Sequence, residues 1–250
     1  MDKMFSMAGQ PGIKVVDPGV MLGVHRTTQD TGGIRTVKID QAAKIEEYWQ
    51  RYIPERRGKR PPSSPYPVGD MHPILDNDGK VVGVTEDEAD AVNQRGYKKI
   101  TGEFLWITRN TGIAGMYAGS MMSKCAAKPS EVAWNAAVHA MHYAFHTRHR
   151  GITYSSHGNM EPVCYYDSGF NQKHLCTRPQ YSFVIMWGGA AVIWISKRHP
   201  HTPGSVSEAE YCALYFAWKW TKWLREVLQD MGFGEWVQKP TYMFGDNRNA

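Results

Sequence analysis

The 250-residue chain predicts an α/β fold, and three features of its sequence carry that expectation. Residues 86–149 place apolar residues at helical spacing almost without a break. After Gly151 the texture turns to short β-rich runs. Among those runs a two-glycine turn and one long helix set up the order strand, strand, strand, helix, strand. A chain that is 42% hydrophobic and 12% aromatic has enough apolar surface for packed cores.

Taken in chain order, residues 13–40 contain VMLGVHR and GIRTVKI separated by the turn-forming TTQDTGG, which predicts a β-hairpin. QAAKIEEYWQRYI (41–53) repeats apolar residues at helical intervals. PERRGKRPPSSPYPVGDMHP (54–73) carries too much proline, glycine and charge for regular structure and reads as a linker or extended segment. The helical block then runs through EDEADAVNQRGYKKITGEFLWITRN, GIAGMYAGSMMSKCAA and PSEVAWNAAVHAMHYAFHTRH, with Pro129, Ser130 and Glu131 marking the start of the last of these. Strands follow at 161–169, 181–187 and 190–196, the last two flanking Gly188-Gly189, a hairpin signal. A helix over about 206–231, closed by Gly232, and a strand at 240–246 complete the pattern. The expected units are 1–53, a linker at 54–85, a helical unit at 86–150 and a mixed α/β unit at 151–250.

Several function classes are set aside at this stage. FVIMWGGAAVIWI (183–195) is broken by glycines and too short to span a bilayer, and the N-terminus lacks a basic start with an apolar core. An intracellular protein, cytoplasmic or nuclear and neither secreted nor membrane-bound, is therefore expected. Cys125, Cys164, Cys176 and Cys212 are scattered without a C-x-x-C pair, so free thiols are expected rather than a zinc knuckle or disulfide framework. The net charge of +5 suits a polyanionic partner without specifying one.

The chemistry concentrates in SVSEAEYCAL (205–214). At 100° per residue Glu208 and Glu210 lie roughly 200° apart on a helix and cannot share a face. Ser205 with Glu208 matches a capping box, which makes Glu208 structural. Glu210 heads the stripe continued by Ala213, Leu214, Ala217, Leu224 and Leu228, the face expected to meet the sheet. A carboxylate there is costly unless it is paired or bound to a cation. Asp167, at the end of the first strand, and Asp246, at the end of the last, reach the same sheet edge if those strands are parallel. Three carboxylates around one point suit Mg²⁺, or Mn²⁺, and the metal-assisted hydrolysis of phosphodiesters.

Three other clusters stand out. His139, His142, His146 and His149 fall within roughly 80° of arc on one helix and read first as a solvated polar face, with a zinc site as the alternative, for which no carboxylate or cysteine partner is evident. Lys197 and Arg198, followed by His199 and His201, are either phosphate contacts or a solvated turn. Trp218, Trp220 and Trp223 read mainly as core packing of the long helix, with base stacking as the alternative.

These motifs together resemble the C-terminal part of copia-type retrotransposon polyproteins, the end of the reverse transcriptase and the start of its ribonuclease H domain. LGVHRTTQDTGGIRTVKIDQAAKIEEYW resembles the segment after the polymerase palm. The run from YKKITGEFLWITRN to HTRHRGITY is similar to the helical thumb and connection region. GGAAVIWISKR, SVSEAEYCAL and FGDNRNA resemble the hairpin, first helix and third-acid strand of the ribonuclease H domain. The resemblance implies a truncated ribonuclease H-like mixed sheet, with Asp167, Glu210 and Asp246 as metal-binding catalytic carboxylates. It further implies metal-dependent cleavage of the RNA strand of RNA–DNA hybrids, alongside the remaining parts of a Pol polyprotein. In the family the positions of His139 and His142 are usually basic, which extends the expected nucleic-acid contact to that helix. The run Asp167-Ser168-Gly169-Phe170 departs from the family's Asp-Ala-Asp-Trp, no tyrosine-x-Asp-Asp polymerase signature occurs, and a fourth carboxylate is missing from the 250 residues. Polymerase activity is therefore not expected, and the alternative is a catalytically inactive remnant, either nucleic-acid-binding or inert.

Overall fold

The computed structural model describes residues 19–56, 58–67, 76, 80–169 and 178–246. Among these the chain is mixed α/β, with six α-helices and two four-stranded sheets. The first sheet begins with β1 (Val20–Met21), β2 (Val24–Thr31) and β3 (Ile34–Asp40), each antiparallel to the next. The turn is narrower than the sequence suggests, because Gly32 and Gly33 alone supply the two positive-φ residues of a tight hairpin. Thr27–Thr31, expected as loop, therefore pair with Ile34–Lys38 as strand.

Helix α1 (Ala42–Tyr52) buries Ile45, Tyr48 and Trp49. The segment after it contains one short 3-10 turn, Pro54–Arg56, and is not purely a linker. Tyr66 is buried in the helical core, edge-on to Tyr117. The helical block contains α2 (Glu86–Gln94), α3 (Tyr97–Asn110), α4 (Met116–Lys124) and α5 (Glu131–Thr147). Its first expected run is two helices, broken at Gly96, whose φ of 99° ends α2 and starts α3. Ser130 caps α5 by accepting from the Ala133 N–H at 3.1 Å.

After α5, β4 (Ile152–Ser155) turns back to pair with β3 and completes the first sheet, in the order β1-β2-β3-β4. The division drawn from sequence at 150/151 thus separates β4 from the sheet it closes. The second sheet has the order β7-β6-β5-β8, with β5 (Val163–Ser168), β6 (Gln180–Trp187), β7 (Ala190–Arg198) and β8 (Tyr242–Phe244). Helix α6 (Val206–Asp230) packs Ala213, Ala217, Leu224 and Leu228 against Cys164, Phe183 and Ile185. Its end falls where the sequence places it, with Gly232 at a φ of 86°. Cys125, Cys164 and Cys212 are free thiols, while Cys176 lies outside the described residues. No helix among the described residues is long and apolar enough to cross a membrane.

Among the described residues, β4 and the loop after it tie the first sheet to the hairpin of β6 and β7, where the Tyr154 hydroxyl also donates to the Ala191 carbonyl at 2.9 Å. The Ser155 N–H donates to the Gly188 carbonyl at 3.1 Å, and the Gly188 N–H donates to the Asn159 carbonyl at 2.8 Å. This seats the loop after β4 on the Gly188-Gly189 hairpin turn. A Cβ on Gly158 would lie 2.4 Å from the Gly188 carbonyl carbon, so the contact exists only because that residue has no side chain. Gly158→Ala is therefore expected to cost about 1–3 kcal/mol through overpacking. A melting temperature lower by roughly 2–10 °C in a circular-dichroism melt would be its sign.

Candidate metal centre

Each acid reaches the centre through a different local rule. Along β5 the alternation of a strand buries Cys164 and Ser168 and turns Asp167 to the exposed side. Strand β8 runs parallel to β5, with Cys164 opposite Met243 and Tyr165 opposite Phe244, so the residues following both strands emerge at one edge. Asp246 lies there, two residues past β8. Gly245 makes the approach possible, because a Cβ on it would sit 2.6 Å from the Tyr166 ring.

The third acid enters from α6, and its start separates the two glutamates. The Ser205 hydroxyl accepts from the Glu208 N–H at 3.1 Å, and the Glu208 carboxylate accepts from the Gly204 N–H at 2.7 Å. The reciprocal bond of a capping box is thus made one residue earlier than usual. Glu208 stays exposed in this cap, whereas Glu210, two residues on, is only 3% exposed. Asp167, Glu210 and Asp246 each offer a carboxylate oxygen within 4.8 Å of the other two.

The electrostatics of the group follow from that geometry. Burial, then Asp167 and Asp246, push the Glu210 carboxyl above its usual range, and a hydrogen bond from the Ser168 backbone N–H only partly opposes them. Glu210 Oε2 is buried with no hydrogen-bond partner. A buried, incompletely satisfied carboxylate oxygen beside two further carboxylates is what a hard divalent cation satisfies, so the residues fit such an ion. On the open side of the sheet, Tyr165 and Phe244, each two residues before an acid, stack with ring centroids 5.5 Å apart, and Tyr242 continues the row.

A partner that sequence reasoning missed lies behind the centre. The Ser168 hydroxyl meets His199 Nε2 at 2.8 Å, and His199 is buried, its backbone N–H donating to the Pro179 carbonyl at 2.8 Å. His199 therefore supports the end of β5 instead of facing phosphates. The two residues are 31 positions apart, and only the strand pairing of β6 with both neighbours brings them together. Lys197 and Arg198 belong to β7 itself; Lys197 is exposed, and Arg198 is half-buried opposite Gln180. His201 is exposed and lies 3.4 Å from both the Glu208 carboxylate and the Cys212 sulfur.

Two further expectations change. The histidine cluster is a solvated face only in part: His146 and His149 are exposed, but His142 is 3% exposed, tilted against Trp49, with its Nε2 3.2 Å from that of His146. Burial and then His146 push the His142 imidazole down to about 4, so it is neutral near pH 7 and offers no cation to a phosphate. His139 Nε2 is engaged with the Ser64 carbonyl at 2.9 Å. Trp218, Trp220 and Trp223 are exposed, not core, because the face of α6 that meets the sheet is the alanine and leucine stripe.

The raised Glu210 fixes the sign of a pH effect. Between its ordinary and its raised value the folded chain binds more protons than the unfolded one, so this contribution to stability is present at acid pH and lost as pH rises. With EDTA at pH 7, Glu210→Gln, which mimics the protonated acid, is expected to melt a few degrees above the parent. The gap should close towards about pH 4, and Mg²⁺ should raise the melting temperature of the parent alone. A variant that melts lower than the parent in EDTA would contradict the assignment.

No protein-family model, curated protein or solved structure matches the chain.

Proposed function

We propose that Asp167, Glu210 and Asp246 hold divalent cations, Mg²⁺ or Mn²⁺, and that the protein is a nuclease of the ribonuclease H type, cutting the RNA strand of RNA–DNA hybrids. The observation that carries this reading is the convergence of three carboxylates from a strand end, a helix start and a parallel strand end, one of them buried with an unsatisfied oxygen. The parallel pairing of β8 with β5, with α6 between β7 and β8 in the chain, supports this reading.

The cations, when bound, supply Lewis-acid polarisation of the phosphodiester and a nucleophilic water at neutral pH. The protein's own contribution is placement and charge. Glu210, held by packing and by the Ser168 N–H, gives the fixed anchor, and exposed Asp167 and Asp246 complete the site on the side open to substrate. Without cations the same acids repel a phosphate backbone, which makes activity conditional on metal. The aromatic row of Tyr165, Phe244 and Tyr242 beside the acids gives sugars and unpaired bases an apolar surface to lie against. Choice of RNA over DNA at the cut rests on the 2′-hydroxyl. The polymerase step belongs to other parts of a Pol polyprotein.

The test is cleavage of an end-labelled RNA–DNA hybrid by the full chain in Mg²⁺, set against duplex DNA of the same sequence. Cleavage of the RNA strand is expected, with EDTA abolishing it and Glu210→Gln reducing it by about a hundredfold or more. Equal cleavage by parent and variant, or none by either, would overturn the reading. In the second case, retained hybrid binding would leave a nucleic-acid-binding role.

A further inference from the structure

The cleft between the two sheets shares no residue with the acidic centre. It encloses about 770 Å³, the size of a small-molecule site. One wall comes from the first sheet, with Arg26 on β2, Arg35 on β3 and Tyr154 on β4. The other is aromatic, built from Trp187 at the end of β6 and from Phe233 and Trp236 beyond α6. Its floor is the loop after β4, which the Ser155, Gly188 and Asn159 backbone bonds hold on the hairpin turn. The cleft is therefore preformed.

Three features of the lining point to a ligand of one chemistry. Arg35 is half-buried and has no ion-pair partner among the described residues, although Asp30 is its cross-strand neighbour. Burying part of a guanidinium without a counter-charge is unfavourable, and a phosphate relieves it through paired N–H donors. Trp187 meets Phe233 edge-on at 5.4 Å, and with Trp236 these rings offer a flat ligand an aromatic wall. An apolar anion would satisfy the rings and Arg35 but would bring no donor to a carboxylate beside it; a nucleotide brings hydroxyls and amines. Glu235, the one carboxylate among the lining residues, offers an acceptor for a sugar hydroxyl or base amine.

We infer that this cleft binds a nucleotide, its base against the aromatic wall and its phosphate towards Arg35 and Arg26. The site is independent of the acidic centre and stands whether or not that centre is a nuclease.

Adenosine 5′-monophosphate is the probe, titrated into the full chain in EDTA so that no metal bridges it to the acids, with calorimetry and tryptophan fluorescence as readouts. One saturable site is expected, with adenosine and inorganic phosphate each binding at least about tenfold more weakly. Arg35→Gln should weaken the nucleotide about tenfold and leave adenosine unchanged. Trp236→Ala, at a rim position that is 38% exposed and so tolerant of truncation, should weaken both. Three results would each overturn the inference: no saturable binding, a nucleotide no tighter than inorganic phosphate, or affinity indifferent to both substitutions.

Discussion

The constraint on which this structure turns is the burial of one carboxylate against two others. Glu210 is an acid on the inner face of α6, within reach of Asp167 and Asp246, and each neighbour makes its ionisation harder. Such a residue survives only where the surrounding fold holds it in place. Here the fold does so by several independent means: the cap that sends Glu208 outward, the Ser168 N–H that satisfies one oxygen, and the alanine stripe that brings α6 close to β5. Parallel pairing of β8 with β5 then brings Asp246 beside Asp167, and the bare Cα of Gly245 lets the chain pass the Tyr166 ring. Local destabilisation at the centre is thus offset by the packing of the rest of the second sheet, a common arrangement at functional sites.

Where a local rule decides, the sequence was enough to read the structure. Helical period alone separates Glu208 from Glu210, the Gly188-Gly189 pair marks the hairpin turn, and the strand, strand, strand, helix, strand order runs through to β8. The same period should have placed the tryptophans. Ala213, Ala217, Leu224 and Leu228 already define the inner face of α6, and Trp218, Trp220 and Trp223 fall outside it, so direction outweighs hydrophobicity there. Gly96 was an equally local signal, a glycine between two runs that each complete a helix.

What the sequence could not supply depends on contacts between distant residues. His142 looks polar on a helical wheel, and only Trp49, brought in by the packing of α1 on α5, makes it a buried neutral ring. Ser168 and His199 are both unremarkable until β6 sets β5 and β7 on either side of it. The return of β4 to the first sheet is a pairing across more than a hundred residues that no local pattern announces. These are the interactions in which tertiary context overrides a residue's ordinary preference.

Strand β6 also explains why the acidic centre and the inter-sheet cleft can coexist in one small unit. Ser182, near its start, pairs with Asp167, and Trp187, at its end, lines the cleft. Five residues at about 3.3 Å each separate the two by roughly 17 Å along a strand paired on both sides. A central strand of this kind transmits little bending, so a ligand in the cleft would not shift the acids along it. The contact open to adjustment is the seat of the β4 loop on the hairpin turn, where one wall of the cleft belongs to each sheet. Occupancy of the cleft would act on how firmly the two sheets are joined, and leave the geometry of the carboxylates to the second sheet and α6.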